Sequence, residues 1–526
     1  MHLETSSLNN SVRSFWAPWV LLAAGAFVVL AEALVTGCFA ETIYDEGGYL
    51  YEGWLVVARG WVPYRDFHTK VTPLAYYYYG VPQAIFGPGM GLGRWQAAGT
   101  SLLALAACGL ALGRRYGAWA SALAVWVFAA IPAGLDQHFR ALAVPPVALW
   151  LSLGLLGIAL QPGALGLALA GCGAGLLFLT RQDLVGPALA LVVGAGVAGG
   201  GLRSSLWTAV IAVAIAFGGL APFLLRPSPQ LLSVISLGLV PAGVEVGVGP
   251  FARTEALTLS NLPWYVVFLA RAYIAPLLLL IPGAAVLATE RLNSLAARHP
   301  LIFAAALAAL LNPLVRGAGA ALTGSNAFYL RDFYIELPLV TAAAGVLVAA
   351  WRASSEVRHR RVLEVLCIAA VLLGPIVTGL PKTVRLGRPT TLEAIHAAGR
   401  FIAEHTEPSD RLFALEDPHI FLEARRELLP MLTHHLFLYQ PSLPTEVLRG
   451  TTAFNLEMLM AALRREATVA VVTDRGMRWV RNNERTREGA AIAAAVAAEL
   501  SANWRLVARQ TNAFAGTISV YRRKGG

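Results

Sequence analysis

Long apolar runs recur through the first 380 residues and constrain the fold more than any other feature of the sequence. The first extends from Trp16 to about Phe39, which is long enough to cross a hydrocarbon core of about 30 Å as a helix. Only 14% of the residues are charged and 57% are hydrophobic, whereas soluble domains contain about 25% charged residues. Soluble enzymes and disordered chains are therefore excluded, and the sequence predicts a polytopic α-helical membrane protein.

Further runs of this kind bring the predicted number of spans to about eleven. They lie near residues 94–113, 118–132, 143–160, 164–180, 183–200, 205–225, 264–288, 300–317, 335–351 and 362–380. If the N-terminus is inside, the arginine-rich loops fall on the cytoplasmic face, as the positive-inside rule expects. These loops also explain the excess of 41 Lys and Arg over 31 Asp and Glu, so no nucleic acid partner is expected. We predict a multi-pass protein of the cytoplasmic (inner) membrane, with the residues after 380 outside.

The tail that follows residue 380 has a different character, because charged residues become frequent and apolar runs shorten. Helical and strand patterns alternate in it, which predicts a small extracytoplasmic α/β domain. The predicted helices cover 391–405 and 488–500, and the predicted strands cover 411–416, 468–473, 504–509 and 517–522. We therefore expect two domains, a transmembrane domain over 1–380 with an outer loop at 40–93, and a C-terminal domain over 381–526.

Three polar residues of the tail stand near predicted strand ends. Asp417 and Asp474 directly follow strands, a position at which α/β sheets often bind ligands. The favoured interpretation is nevertheless an ordinary strand-end turn. His419 has no metal-ligand spacing to its neighbours, and we interpret it as a surface histidine.

The first outer loop carries the residues best suited to chemistry. Asp45 and Glu46 are adjacent carboxylates that directly follow the first span, and Lys70 lies further along the loop. A carboxylate at the membrane surface can take the proton of an attacking acceptor hydroxyl. A nearby cation can stabilise a lipid phosphate as it leaves. On spacing alone, a helix that merely ends in solvated charge explains the acid pair equally well.

The loop resembles that of the integral-membrane C-type glycosyltransferases in the runs Asp45-Glu46-x-x-Tyr49, Gly60-x-x-Pro63-Tyr64-x-Asp66 and Lys70-x-x-Pro73-Leu74. More narrowly, it is similar to the dolichyl-phosphate-mannose protein mannosyltransferases (glycosyltransferase family 39) and to bacterial relatives such as the aminoarabinose transferases that act on lipid A. The resemblance implies that Asp45 is the catalytic base and that Glu46 holds it in position or contacts the acceptor. It also implies that Lys70 lies near the lipid phosphate, although Thr72 replaces the first Pro of the family's Pro-Pro-Leu.

Three arginines fall at the outer surface in the predicted topology, against the positive-inside trend. They are Arg140, Arg181 and Arg331, and the stretches around the last two also resemble the family. One interpretation is that they bind the phosphate headgroup of the lipid donor. The alternative is that they contact membrane headgroups or pair with Asp183 and Asp332.

The resemblance implies a hexosyl or pentosyl transferase that uses a polyprenyl-phosphate sugar donor, inverts the sugar bond in one displacement and works on the outer face. The acceptor is a protein, a glycolipid or a polysaccharide, and membrane lipids are further partners. No cofactor is required. The sequence leaves open whether a divalent metal ion takes part. Many relatives carry a second Asp shortly after the arginine that corresponds to Arg140, and this chain does not.

Two other classes of function compete with this one. A transporter or flippase for a lipid-linked or anionic substrate fits the many spans equally well, but transporters tend to place charges at the midplane in broken helices. Here the acids and bases cluster in outer loops. A non-enzymatic assembly protein is the third class, and the Asp45-Glu46 loop argues against it.

Overall fold

The computed structural model describes most of the chain. The described residues are 18–31, 34, 44–69, 71–130, 140–236, 296–323, 336–353, 361, 365, 391–433, 438–441, 443–449, 453–481 and 488–524. The chain forms two compact units. The first comprises Met1–Thr36, Ala97–Ala221 and Ala256–Lys382, and the second comprises Gly37–Gln96, Pro222–Glu255 and Thr383–Gly526.

Helices account for nearly all of the described residues before 354. They are α1 Pro18–Ala31, α2 Tyr44–Arg59, α3 Leu74–Phe86, α4 Met90–Tyr116, α5 Ala118–Ala130, α6 Val144–Ala159, α7 Ala164–Thr180, α8 Val185–Gly199, α9 Leu202–Leu224, α10 Pro229–Ile235, α11 Pro300–Thr323 and α12 Glu336–Ala353. The predicted spans up to residue 225, and those at 300–317 and 335–351, are helical where they are described. Those at 264–288 and 362–380 lie almost entirely outside the described residues.

Among the helices that the structure describes, three combine the length and apolarity needed to cross a bilayer. They are Met90–Tyr116, Leu202–Leu224, and Gln182–Gly199, which includes a short 3₁₀ turn before α8. The other apolar stretches are 10–17 residues long, and they include Pro300–Asn312 of α11 and Leu337–Trp351 of α12. The chain is thus mostly helical with apolar helices, and the number of spans stays a prediction.

Close approach of α6 and α7 in the first unit depends on glycine. A Cβ at Gly157 would clash with the Ala170 nitrogen, and a Cβ at Gly166 would lie 2.8 Å from the Gly157 carbonyl oxygen. Small residues allow helix backbones to touch where water cannot drive association. The glycine-rich sequence of α7 is therefore a packing surface.

Glycines also allow α2 and α3 of the second unit to pack closely together. A Cβ at Gly53 would lie 2.6 Å from the Tyr76 carbonyl oxygen, and one at Gly80 would lie closer still to the Gly53 oxygen. Aromatic rings extend the contact, with the Tyr49 and Tyr76 centroids 5.7 Å apart. The α2–α3 pair is consequently a rigid hairpin of two helices, although the sequence analysis placed no helix at α3.

The tail contains helices and one small sheet. Its elements are α13 Thr391–Glu404, β1 Leu412–Ala414, α14 His419–Ala424, α15 Thr445–Leu448, α16 Leu456–Ala461, β2 Val469–Thr473, α17 Asp474–Arg481, α18 Glu488–Asn503, β3 Trp504–Asn512 and β4 Gly516–Arg523. The strand order is β1-β2-β4-β3. β1 and β2 are parallel, whereas β4 is antiparallel to both of its neighbours. The predicted helices and strands of the tail are confirmed within a few residues.

Candidate active site

Asp45 and Glu46 lie in the first turn of α2, where the unpaired N–H groups of a helix favour carboxylates. Their environments differ. The Asp45 side chain is exposed, whereas Glu46 is fully buried. An accessible carboxylate at the start of a rigid helix is suited to accept a proton from a bound hydroxyl.

Glu46 is buried because Arg94 pairs with it. The Arg94 guanidinium donates from Nε to Oε1 over 2.7 Å and from Nη2 to Oε2 over 2.9 Å. Arg94 is only 3% exposed. A bidentate pair of this kind fixes both the charge and the orientation of a carboxylate. Arg94 thus anchors the first turn of α2 to the N-terminal part of α4.

The Gly-x-x-Pro-Tyr-x-Asp segment is a turn held by its own acid. Gly60 has a φ of +72°, which glycine adopts without strain. The Asp66 carboxylate accepts the Val62 N–H at 2.7 Å and pairs with Arg65. Burial opposes ionisation of Asp66, but Arg65 and the Val62 N–H together lower its pKa. The Asp66 carboxylate therefore stabilises the turn, and we do not assign it the role of a catalytic base.

Parallel pairing of β1 and β2 brings the residues that follow them to one edge of the sheet. Glu416 and Asp417 follow β1, and Arg475 is the second residue of α17, the helix after β2. Arg475 donates to the Asp417 carboxylate at 2.6 Å, and Thr473 donates to Glu416. Asp417 is thus held in a charge pair, which goes beyond an ordinary strand-end turn.

This edge lies close to the first turn of α2. Burial raises the pKa of Asp417, Arg475 opposes that rise, and the charges of Glu416 and Asp45 add to it. The Arg475 guanidinium also lies over the Phe514 ring at 4.0 Å from its centroid. The exposed Asp45 is therefore accompanied by a fixed charge pair from the tail.

His419 is fully buried, so its interpretation as a surface histidine was wrong. Its ring contacts Phe514 edge-on, with centroids 6.2 Å apart, and lies against Gly47. Burial lowers the pKa of His419 to about 4, and Arg475 and Arg94 act in the same direction. The opposing charges of Asp417 and Glu46 do not overcome this. The ring is neutral at neutral pH.

Further contacts join α2 and the start of α4 to the tail within the second unit. The Tyr51 hydroxyl donates to the Arg426 carbonyl at 3.0 Å and accepts the Leu428 N–H at 2.7 Å. Arg59 pairs with Glu427 at 3.0 Å. The Met90 N–H donates to Glu423 at 2.6 Å. The tail is therefore packed onto the segment that carries Asp45.

The structure brings together only part of the predicted site. Asp45 and Glu46 are neighbours in the second unit, accompanied by Arg94 and Arg475, which were not predicted. Asp417 and His419 of the tail also lie there, although the sequence did not predict a site role for them. Arg140 and Arg181 belong to the first unit. Arg140 is 3% exposed, and Arg181 forms the pair with Asp183 that was one alternative, at 2.8 Å. Lys70 and Arg331 lie outside the described residues.

The described residues contain no group of three or more His, Cys, Asp or Glu side chains arranged to hold a metal ion. Arg94 forms an ion pair with Glu46, and Arg475 forms an ion pair with Asp417. The charges around Asp45 are thus paired within the protein.

Comparison with known proteins places this geometry in a known fold. No protein-family model and no curated protein sequence matches the chain. The chain is similar to ArnT from Cupriavidus metallidurans bound to undecaprenyl phosphate, with a TM-score of 0.61, 15% identity, and coverage of 96% of this chain and 98% of that one. The apo state of ArnT matches with a TM-score of 0.60, 16% identity, and coverage of 97% and 98%.

A third structure is the archaeal oligosaccharyltransferase AglB from Archaeoglobus fulgidus, in complex with an inhibitory peptide and a dolichol-phosphate. It matches with a TM-score of 0.51 at 13% identity, over 97% of this chain and 75% of that one. Both proteins are glycosyltransferases of the C type, and ArnT is an aminoarabinose transferase. The resemblance seen in residues 44–74 extends to the architecture, and the chain has the C-type glycosyltransferase fold.

Proposed function

We propose that the chain is a polyprenyl-phosphate-sugar-dependent glycosyltransferase, a hexosyl or pentosyl transferase that acts on the outer face of the cytoplasmic membrane. The observation that carries the proposal is the exposed Asp45 beside the buried, arginine-paired Glu46, in a fold shared with a protein crystallised with undecaprenyl phosphate. Residues 1–380 would form the transferase domain, and residues 381–526 the outer domain.

In the proposed reaction, the acceptor hydroxyl attacks the anomeric carbon of the donor. Asp45 takes the hydroxyl proton as the new carbon–oxygen bond forms. The bond between the anomeric carbon and the lipid phosphate breaks, and its electron pair leaves on the phosphate oxygen. One displacement inverts the anomeric configuration. Glu46 does not reach the hydroxyl in this scheme, because its carboxylate is held by Arg94.

The leaving lipid phosphate needs cations to stabilise its charge. We assign this role to Lys70, as the family resemblance implies. We assign it also to Arg140, Arg181 and Arg331, whose predicted outer positions run against the positive-inside trend. Arg181 would have to exchange its Asp183 partner for phosphate. The acceptor is a protein, glycolipid or polysaccharide, and the AglB complex with an inhibitory peptide is a precedent for peptide binding in this fold.

The test uses purified full-length protein, a panel of labelled polyprenyl-phosphate hexoses and pentoses, and cell-envelope extract as the acceptor source. Release of free lipid phosphate is measured, because a transporter or flippase does not cleave the donor. We expect release by the wild type and loss of roughly 10²–10⁴-fold in Asp45→Asn. Glu404→Gln, which changes an exposed acid on α13 of the same unit, is the matched control. Wild-type release by Asp45→Asn would exclude Asp45 as the base.

A further inference from the structure

Gly47 makes a close contact with the tail that any side chain at this position would force apart. A Cβ at this position would lie 2.8 Å from both Cε1 and Nε2 of His419 and 2.9 Å from its Cδ2. Side chains almost never approach so closely, so the imidazole occupies the space of the missing side chain. Gly47 directly follows the Asp45-Glu46 pair.

The neighbouring glycine provides an internal comparison. Apart from its chain neighbours and the backbone of its own helix, no described atom comes within 4 Å of a Cβ built on Gly48. Both glycines lie in the same helix, where each carries the entropic cost of glycine. Of the two, only Gly47 has a contact that accounts for the absence of a side chain. This points to the His419 ring as the reason for glycine at position 47.

His419 is itself held from several directions. It begins α14, and the Phe514 ring packs edge-on against it. Further along, the Tyr51 hydroxyl bonds to the backbone of Arg426 and Leu428. The ring therefore rests on a fixed part of the tail, and it can fix whatever it contacts in turn.

The ring acts by shape and not by charge. The charged groups that face it are Asp417 and Arg475 of the tail, Glu46 of α2, and Arg94 of α4, and burial keeps the imidazole neutral among them. A neutral ring can sit beside the acid pair without neutralising either member. The backbone of the first turn of α2 is thereby held without a change in the charge of its carboxylates.

We propose that His419 is a positioning residue of the transfer site, which fixes the first turn of α2 through Gly47 and so fixes the placement of Asp45. This inference rests on the proposed function of Asp45 as the base. In this proposal the tail contributes to the geometry of the site, although the His419 side chain does not contact the reacting atoms.

The test is a double-mutant cycle in the full-length protein, with Gly47→Ala, His419→Ala, the double variant, and Gly48→Ala as the matched control. Turnover and the donor KM are measured on monodisperse protein, together with the thermal midpoint. We expect Gly47→Ala to lower kcat by roughly 10- to 100-fold, as misplacement of a catalytic group by about 1 Å does, with the donor KM changed less than about twofold. Gly48→Ala should keep kcat within about twofold.

His419→Ala should lower kcat in the same way, and adding Gly47→Ala to it should cost less than about threefold more, because the clash is gone. The proposal is overturned if His419→Ala keeps wild-type kcat, or if Gly47→Ala lowers kcat equally in both backgrounds. It is also overturned if kcat falls only in proportion to the loss of folded protein. Absence of any transfer by the wild type would instead refute the proposed function, so the two failures are distinguishable.

Discussion

Arg94 and Glu46 form a bidentate pair, with Nε–Oε1 and Nη2–Oε2 distances of 2.7 and 2.9 Å. The two side chains are 3% and 0% exposed. Since a lone charge in such surroundings is very unfavourable, each needs the other. The pair separates two adjacent acids into an anchored Glu46 and an accessible Asp45.

Removing either partner of this pair should destabilise the fold. Arg94→Met leaves a buried carboxylate and Glu46→Gln leaves a buried guanidinium, each at a cost of about 3–5 kcal/mol. The double variant Glu46→Gln with Arg94→Met should be less destabilised than the sum of the single variants, because no lone charge remains. Thermal midpoints in detergent measure this. Strictly additive losses would show that the two side chains are not coupled.

Glu46→Gln should also reduce transfer less than Asp45→Asn does. Its carboxylate is engaged by Arg94 and acts on the reaction only through the position of its neighbour. The comparison is made on the remaining folded protein, at saturating donor. A Glu46 variant as inactive as Asp45→Asn would assign the base to Glu46 instead.

Lys70→Ala and Arg331→Ala should each weaken the use of the lipid donor. A charge-assisted phosphate contact contributes about 1.5–3 kcal/mol, which corresponds to roughly a 10- to 150-fold weaker apparent affinity. The measurement is donor KM together with direct binding of undecaprenyl phosphate. Arg65→Ala is the control, because Arg65 is a cation of the same loop that pairs with Asp66. Unchanged affinity in both variants would move the phosphate site to Arg140 and Arg181.

Stability should fall as pH rises through the titration of His396. The Glu423 carboxylate, which accepts from the His396 ring at 2.7 Å, raises the pKa of His396 above 6.5, and partial burial opposes the rise. A raised folded pKa means that the stabilisation is fully present below the unfolded value and is lost as pH passes upward through the folded value. The thermal midpoint should therefore decline from about pH 6.5 upward.

His396→Gln should remove this part of the pH dependence. His405→Gln is the control, because that ring bonds the Phe401 carbonyl instead of a carboxylate. Glu423 also accepts the Met90 N–H, so Glu423→Ala, which removes that acceptor too, should lower the midpoint at every pH. If the thermal midpoint of His396→Gln still declines with pH as in the wild type, another group is responsible for the decline.

A phosphatase reporter fused after Gly526 should be active, because an odd number of spans from an inside N-terminus ends outside. The contacts of the tail with α2 make this a test of Asp45 as well, since both belong to one compact unit. A cytoplasmic reporter at the same position is the counterpart. An inactive phosphatase with an active cytoplasmic reporter would mean a miscounted span, with 118–132 the first to re-examine.

Periodicity and apolar length predicted most of the apolar helices, the two longest helices of the tail and all four strands of the described tail, because burial patterns are local properties of the sequence. The helix α3 was missed. Its Tyr76-Tyr77-Tyr78-Tyr79 run and internal Pro82 do not produce a helical pattern. The packing that makes it helical is the Gly53–Gly80 contact with α2, which joins positions far apart in the chain.

The candidate site was predictable only where its residues are neighbours in sequence. Asp45 and Glu46 are adjacent, and their carboxylates stand out beside an apolar run. Arg94 is the partner that sequence reasoning missed. It lies at the start of a predicted span on the predicted outer face, so it breaks the positive-inside trend as Arg140 does. The burial of His419 had no local signal, because it comes from Gly47, some 370 positions earlier.

The Tyr51 hydroxyl and the Leu428 N–H are separated by 377 residues. At about 5–20 residues per second, synthesis of the intervening chain takes roughly 20–75 s. During that interval the segment with Asp45 has already been made, and the part of the protein that completes its packing has not. This unit can therefore complete its folding only at the end of synthesis. A chain that terminates before β1 should lack a functional first loop, even if its membrane helices insert correctly.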